Sequence, residues 1–241
     1  MIRQAIDGVL RKLGYEIRRR RPELLAATME GALLRAAARG VKVGTVIDVG
    51  ASDGTWSRLC MKAFPEASYL LVEAQEPHRA ALEAFAARHP RVAVVLAAAG
   101  ARKGTIWFDN ADLFGGLASE VPLPAPCIEV PVTTIDAEVE ARGLRPPYLV
   151  KLDTHGFEVP ILEGARRTLA NASLVVLEEY VQQLTSSSLR HVEMGRWMGE
   201  AGFLPVDVVD LTLREKDRSL WQMDVFYQPS TWSGFRDNAF E

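Results

Sequence analysis

The sequence predicts an α/β fold: a central, mostly parallel sheet with helices on both faces and an antiparallel last strand. Three observations predict it. Short apolar runs alternate with segments of helical character along most of the chain, as strands joined by covering helices would. A strand, a tight glycine turn and a helix follow one another in Val46-Ile47-Asp48-Val49-Gly50-Ala51-Ser52-Asp53-Gly54-Thr55-Trp56-Ser57. The last two strands have no helix between them, which suits a hairpin-like pair.

Taken in order, residues 24–39 are rich in Ala and Leu and read as a helix. The first strand is 45–50, and its helix, 55–64, stops near Pro65. The second strand, 68–73, ends in Glu73. Pro77 opens a helix over 78–88, since proline suits a first turn. The third strand is 92–97, and Gly104 to Phe108 is a short additional one. Residues 109–131 hold Gly115, Gly116, Pro122, Pro124, Pro126 and Pro131 and are expected to be irregular. A loop that long in a compact domain is usually functional, and here it would cover a substrate. A helix over 133–142 leads to the fourth strand, 147–152, and a helix over 159–170 to the fifth, 173–178. A helix over 189–201 is stopped by Gly202, and strands near 203–209 and 222–228 follow. No internal repeat or low-complexity tract interrupts this order. The expected organisation is a helical extension over 1–40, a cofactor-binding domain over 41–230 and a tail over 231–241.

Composition fits one enzyme domain. The chain has 241 residues, 48% hydrophobic and 24% charged, close to ordinary globular values. No apolar run approaches the roughly 18 residues of a membrane span, and the N-terminus lacks the continuous apolar stretch of a signal peptide. Cys60 and Cys127 are too few for a metal site and suit a reducing, cytoplasmic compartment. Residues 1–21 carry seven basic residues against two acidic ones, a net of +5, whereas the whole chain is −3. Ile2, Ile6, Val9, Leu13 and Ile17 fall on one helical face. Such a helix either lies on an anionic membrane surface, the inner face of the cell membrane, or packs on the domain or a second subunit of a homodimer. Nucleic acid is not expected as a partner, because the acidic remainder repels phosphate.

The glycine turn and the acid that ends the next strand form a nucleotide-cofactor signature. Gly50 and Gly54 let the backbone approach a ligand, and Glu73 can accept hydrogen bonds from ribose hydroxyls. A dinucleotide fingerprint needs a third glycine and a pyrophosphate. Here Asp48 and Asp53 flank the turn instead, and two carboxylates repel a pyrophosphate. They suit a cofactor with a cationic end, such as S-adenosyl-L-methionine. The pattern looks like the first two motifs of a Rossmann-like class I methyltransferase. A nicotinamide-dependent oxidoreductase and a non-catalytic membrane-associated module are the alternatives.

A second informative run is Lys151-Leu152-Asp153-Thr154-His155-Gly156-Phe157-Glu158, at the carboxyl end of the fourth strand. Ligands of open α/β sheets bind outside the carboxyl ends of strands, so Asp153 and His155 are expected to share a crevice with Asp48 and Glu73. Lys151, inside a strand buried on both faces, needs a carboxylate partner.

Together with Ile161-Leu162-Glu163-Gly164-Ala165 and Gln222-Met223-Asp224-Val225-Phe226, these runs resemble the FkbM-type methyltransferases over roughly residues 45–228. The resemblance implies an S-adenosylmethionine-dependent O-methyltransferase acting on hydroxyls of sugars, glycolipids or polyketide-type acceptors. It places Glu178 or Glu179 at the end of the fifth strand, with Glu179 taken as the catalytic one of the two. It also places Ala98, in Leu96-Ala97-Ala98-Ala99-Gly100, at the adenine edge, and Ala51 within the cofactor turn. The family often has Glu or Gln where this chain has His155, and its proline usually follows the ribose acid more closely than Pro77 follows Glu73. Glu76 is therefore the rival of Glu73, which is preferred because it ends the apolar run directly.

Methyl transfer is an in-line displacement at a methyl already activated by sulfonium, so alignment supplies much of the rate. An alcohol must also lose its proton near pH 7, and a base helps. His155, at about 6.5 unperturbed against about 3.9 for an aspartate, is the expected base, with Asp153 orienting it or the substrate. In a metal-assisted version, Asp153, Glu178 and Glu179 supply oxygen ligands suited to Mg²⁺; Mg²⁺ is not expected, because nothing in the sequence fixes that geometry. His78 and His89 are expected on the surface, and His191, after a polar loop, at the substrate.

Overall fold

The computed structural model describes residues 27–124 and 126–239. The basic amphipathic segment at residues 1–21 lies outside the described residues. Eleven strands form two sheets among the described residues. The strands of the main sheet are β1 (Thr45–Val49), β2 (Ser68–Glu73), β3 (Val92–Leu96), β8 (Tyr148–Leu152), β9 (Ala172–Tyr180), β10 (Phe203–Leu213) and β11 (Leu220–Pro229). Their order is β10-β11-β9-β8-β1-β2-β3. β1 pairs parallel with β2 and β8, β2 with β3 and β8 with β9. β11 runs antiparallel to both of its neighbours.

Alternation along each strand builds two cores. Ile47, Val49, Leu70, Val72, Val150 and Leu152 face one side, and Val46, Tyr69, Leu71 and Leu149 the other. The second side is covered by α1 (Met29–Ala38), α2 (Thr55–Cys60) and α3 (Arg79–Arg88), through Leu33, Cys60, Leu82 and Phe85. The first is covered by α4 (Ile135–Arg142), α5 (Glu158–Glu163), α6 (Arg166–Leu169) and α7 (His191–Glu200), through Ile135, Ile161, Leu169 and Met198. Because β1, β2, β8 and β9 are covered on both faces, they read as nearly continuous apolar runs.

α1 is part of the core rather than appended to it. Leu33 and Ala36 are fully buried, the Arg35 Nε lies 2.8 Å from Asp207 Oδ2, and the Met29 N–H donates to Asp210. Thr28 caps the helix by accepting from the Gly31 N–H.

The structure departs from the expected elements in three places. Residues 109–131 are not irregular throughout: β6 (Leu117–Ser119) and β7 (Cys127–Thr133) join β4 (Ala98–Ala99) and β5 (Gly104–Asp109) in a four-stranded sheet of order β4-β7-β5-β6. Pro131 is tolerated within β7, where it pairs with Thr105, although proline usually ends a ladder. The helix expected over 159–170 is broken into α5 and α6 at Gly164. There the chain crosses so close to Gly100 that a side chain would meet its carbonyl oxygen at 2.0 Å. α2 ends at Cys60, short of Pro65, and continues as turns.

Candidate active site

The glycine turn is shaped by its neighbours. Gly50 sits at φ +73°, and a Cβ there would lie 2.0 Å from the carbonyl oxygen of Asp153. The ends of β1 and β8 are therefore pressed together in a way only glycine allows. The Gly50 and Ala51 N–H groups donate to the Val72 carbonyl, and the Asp153 N–H donates to Val49. β1 lies between β2 and β8, where the strand order reverses, which is the usual ligand crevice of an open α/β sheet. A cavity of about 680 Å³ opens there, within the usual range for small-molecule sites.

At one end of the cavity is Glu73. Its Oε2 accepts from the Ser52 N–H and its Oε1 from the Gln75 N–H, each at 2.8 Å. Each oxygen keeps a lone pair, so a vicinal diol can still bind the carboxylate. Glu76 is exposed and paired with Arg79, away from the cavity. Ala51, Asp53 and Ala98 line the cavity as well. The Asp53 carboxyl is held below the usual range by its bonds to Thr55, whose N–H donates to Oδ1 at 2.9 Å.

Asp48 lies beneath this surface instead of on it. It is fully buried, accepts from the Ser57 hydroxyl at 2.7 Å and pairs with Lys151 Nζ at 3.1 Å. The alternation of β1 turns it toward the α2 side, so its role is to anchor Lys151 and the start of α2. Lys151 also reaches the Gly50 carbonyl at 3.1 Å and Asp153 Oδ2 at 3.3 Å. Burial pushes its ammonium down, but the charges of Asp48 and Asp153 outweigh that and hold it above the ordinary lysine range. Gly54 serves similarly from below, ending the turn at φ +80° against Phe85.

The other end of the cavity carries three ionisable groups: Asp153, His155 and Glu178. Their ligating atoms all lie within 4.8 Å of one another. His155 Nε2 is 3.7 Å from Asp153 Oδ1 and 3.6 Å from Glu178 Oε2. The turn that presents them is built by Glu158, which is buried and accepts from the Gly156 N–H and the Thr154 hydroxyl. It holds His155 at φ +51°, a left-handed conformation that costs a non-glycine residue about 1–3 kcal/mol. His155 Nδ1 faces the Gly116 carbonyl at 3.3 Å. Burial, with Asp153 next in effect, pushes the Glu178 carboxyl up to about 9. Against its own burial, Asp153 is held below the usual range by Lys151 first and His155 next.

Glu179 does not join this group. It is buried on the opposite face of β9, accepting from the Tyr227 hydroxyl at 2.6 Å and lying 2.6 Å from His191 Nδ1. Side chains alternate along a strand, so only one of two adjacent glutamates can face the cavity. His191 is engaged with Glu179 and does not line the cavity.

His78 also departs from expectation. It is buried, Nε2 donates to the Leu113 carbonyl at 3.0 Å, and its ring meets Phe114 edge-on at 5.5 Å. Gln75 Nε2 donates to the carbonyls of Asp112 and Leu113. The two residues tie residues 112–114 over the cavity, whose wall includes Leu113, Phe114 and Gly116. Sequence reasoning marked that segment as a cover but not the residues that fasten it. Gln222 and Tyr180, which donate to the two oxygens of Glu178, were also missed. Their signal is the antiparallel register that sets Gln222 opposite Tyr180, which a single sequence does not display.

No helix among the described residues is long and apolar enough to cross a membrane. Residues 48–205 match the profile of a family described as the methyltransferase FkbM domain. No curated protein matches the chain. Among solved structures, the chain is similar to a methyltransferase FkbM from Methylobacillus flagellatus, with 15% identity and a TM-score of 0.49 over 76% of this chain and 43% of that one. It thus spans less than half the length of that protein. It is also similar to a candidate tRNA methyltransferase of Streptococcus pneumoniae solved with S-adenosyl-L-methionine, with 14% identity and a TM-score of 0.47 over 82% and 72% of the two chains. A third match is a candidate RNA methyltransferase of Pyrococcus horikoshii, with 13% identity and a TM-score of 0.44 over 95% and 99%.

Proposed function

Since this chain belongs to the FkbM methyltransferase family, we propose that it transfers the methyl group of S-adenosylmethionine to a hydroxyl of a sugar, glycolipid or polyketide-type acceptor. The observation that carries this reading is that one cavity is lined by Glu73 at one end and by Asp153, His155 and Glu178 at the other. Strands lie about 4.8 Å apart, so the step from β2 across β1 to β8 places the two ends about 10 Å apart, a span suited to the nucleoside and sulfonium of the donor. Glu73 takes the ribose, with Ala97 and Ala98 along the adenine. Asp53 offers a negative charge near the cofactor's ammonium.

The fit rests on this chain's own groups. The Gly50 contact leaves no room for a side chain between the strand ends, and Glu73 keeps free lone pairs on both oxygens. The donor brings an activated methyl when bound. The protein's residues align it beneath the Leu113–Phe114 cover and bring the acceptor hydroxyl against Asp153, His155 and Glu178, where it loses its proton. The test is transfer of labelled methyl from S-adenosylmethionine to a panel of hydroxylated sugars, glycolipids and polyketides. Ether-linked label supports the reading; label only on nitrogen or carbon acceptors removes it. A peripheral membrane contact through residues 1–21 accompanies this proposal, tested by co-sedimentation with anionic but not neutral vesicles.

A further inference from the structure

We propose that Asp153, His155 and Glu178 hold a divalent first-row cation, such as Mn²⁺, that binds the acceptor hydroxyl. The inference rests on the O-methyl-transfer reading for its role, and on geometry alone for the site.

Three potential ligands, one imidazole and two carboxyl groups, converge on one spot of the cavity. A carbonyl can only accept, so the 3.3 Å contact of His155 Nδ1 with Gly116 puts the ring's hydrogen on Nδ1. Nε2 then presents a lone pair to Asp153 Oδ1 at 3.7 Å and Glu178 Oε2 at 3.6 Å. Both distances are too long for hydrogen bonds. They are close to those between neighbouring ligands of one ion. Atoms about 2.1–2.2 Å from a cation, at angles of about 90–110°, lie about 3.0–3.6 Å apart. The two His155 distances lie at the upper edge of that range.

The surroundings are those of metal ligands. Histidine ligands commonly donate their other N–H to a carbonyl, and ligating carboxylates are themselves hydrogen-bonded. Here Gly116 takes the imidazole N–H, while Tyr180 and Gln222 donate to the two oxygens of Glu178. Lys151 holds Oδ2 of Asp153 at 3.3 Å, and Oδ1 is the oxygen on the side of His155. One imidazole with two carboxylates favours Mn²⁺ or Zn²⁺ over Ca²⁺.

The cation gives His155 a different task from that of a base: it becomes a ligand through Nε2. The acceptor hydroxyl binds the ion at an open position, and its acidity rises as that of a bound water does. Its O–H bond breaks and the proton goes to water in the open cleft. The oxygen lone pair forms the bond to the methyl carbon as the carbon–sulfur bond breaks, and that electron pair returns to sulfur.

The test is a Mn²⁺ titration of the full chain, with free Mn²⁺ followed by electron paramagnetic resonance. One Mn²⁺ per chain is expected, and His155→Ala, Asp153→Asn and Glu178→Gln should each weaken it by about tenfold or more. Glu76→Gln, remote from the cavity, should leave it unchanged. Calorimetry with S-adenosylmethionine on the same variants identifies any that fail to fold, and the folded ones decide. No binding of Mn²⁺ or Zn²⁺ at about 1 mM, the weak end of protein cation sites, overturns the proposal. Binding that all three variants retain also overturns it. Methyl transfer that continues undiminished in chelator removes the cation and leaves the transferase. Mn²⁺ held by these three ligands without any transfer to hydroxyls upholds the site and removes the acceptor reading.

Discussion

Glu178 and Glu179, neighbours in β9, face opposite sides of the sheet: the first lines the cavity beside His155, and the second is sealed beneath His191 and Tyr227. Their substitutions should separate cleanly. Glu178→Gln is expected to lower turnover by about 10²-fold or more, the worth of a group that assists proton removal, with the melting temperature little changed. Glu179→Gln removes a charged acceptor from a buried hydroxyl and should cost about 1–3 kcal/mol of stability while the folded enzyme keeps its turnover. Thermal unfolding and initial rates on the two variants check this.

Gly50→Ala tests the contact between the two strand ends. The added methyl meets the Asp153 carbonyl at 2.0 Å, in a backbone at φ +73°. Relief requires the turn after β8 to move. Cofactor affinity and turnover should therefore fall together, although position 50 touches only one end of the cavity. Alanine at exposed Gly143, also in a left-handed conformation but with open space around it, should cost stability alone, about 1–2 kcal/mol. Equal kinetic effects at the two positions would show that the Gly50 contact is not special.

The parts legible in the sequence were those governed by local pattern. β2 occupies the six residues read as its strand, Ser68–Glu73, because an apolar run bounded by polar turns allows no other register. The glycine turn and the Asp153–Glu158 run declared themselves by residue type. What stayed hidden depends on pairing between distant segments. Asp48 looked like a cofactor acid because its neighbours in sequence are; only the register of β1 against β8 sets it opposite Lys151. Glu178 and Glu179 were inseparable until the face of β9 was known. β7 was disguised by Pro131 and by the prolines before it, whose effect on the backbone is local, whereas its pairing with β5 is not.

His155→Ala should lower turnover by about 10²–10⁴-fold, the range for losing assistance to a proton transfer. S-adenosylmethionine affinity should stay near that of the wild type, since the imidazole lies at the opposite end of the cavity from Glu73. Steady-state rates with calorimetry on one preparation decide. A variant that binds the cofactor and keeps most of its turnover would remove His155 from the chemistry.

His191 gives a pH dependence of stability. Its bond to Glu179 raises its pKa above the ordinary value. The contribution is fully present below about pH 6.5, the unfolded value, and is lost as pH rises through the higher folded value. The side chain is 38% exposed, so solvent screening limits the effect to about 0.5 kcal/mol or less. The difference in melting temperature between wild type and His191→Gln should shrink as pH rises from 6 toward about 8. A difference that grows over that range contradicts the pairing.

Calorimetric titration of S-adenosylmethionine onto the wild type and Glu73→Ala tests the central claim most directly. Glu73 sits at one end of the cavity, its two oxygens held by the Ser52 and Gln75 N–H groups. One site per chain is predicted for the wild type, weakened in the variant by about 1.5–3 kcal/mol, the worth of hydrogen bonds to a charged group. No binding of S-adenosylmethionine to the wild type, binding of a nicotinamide dinucleotide in its place, or equal affinity in the two proteins would contradict the account.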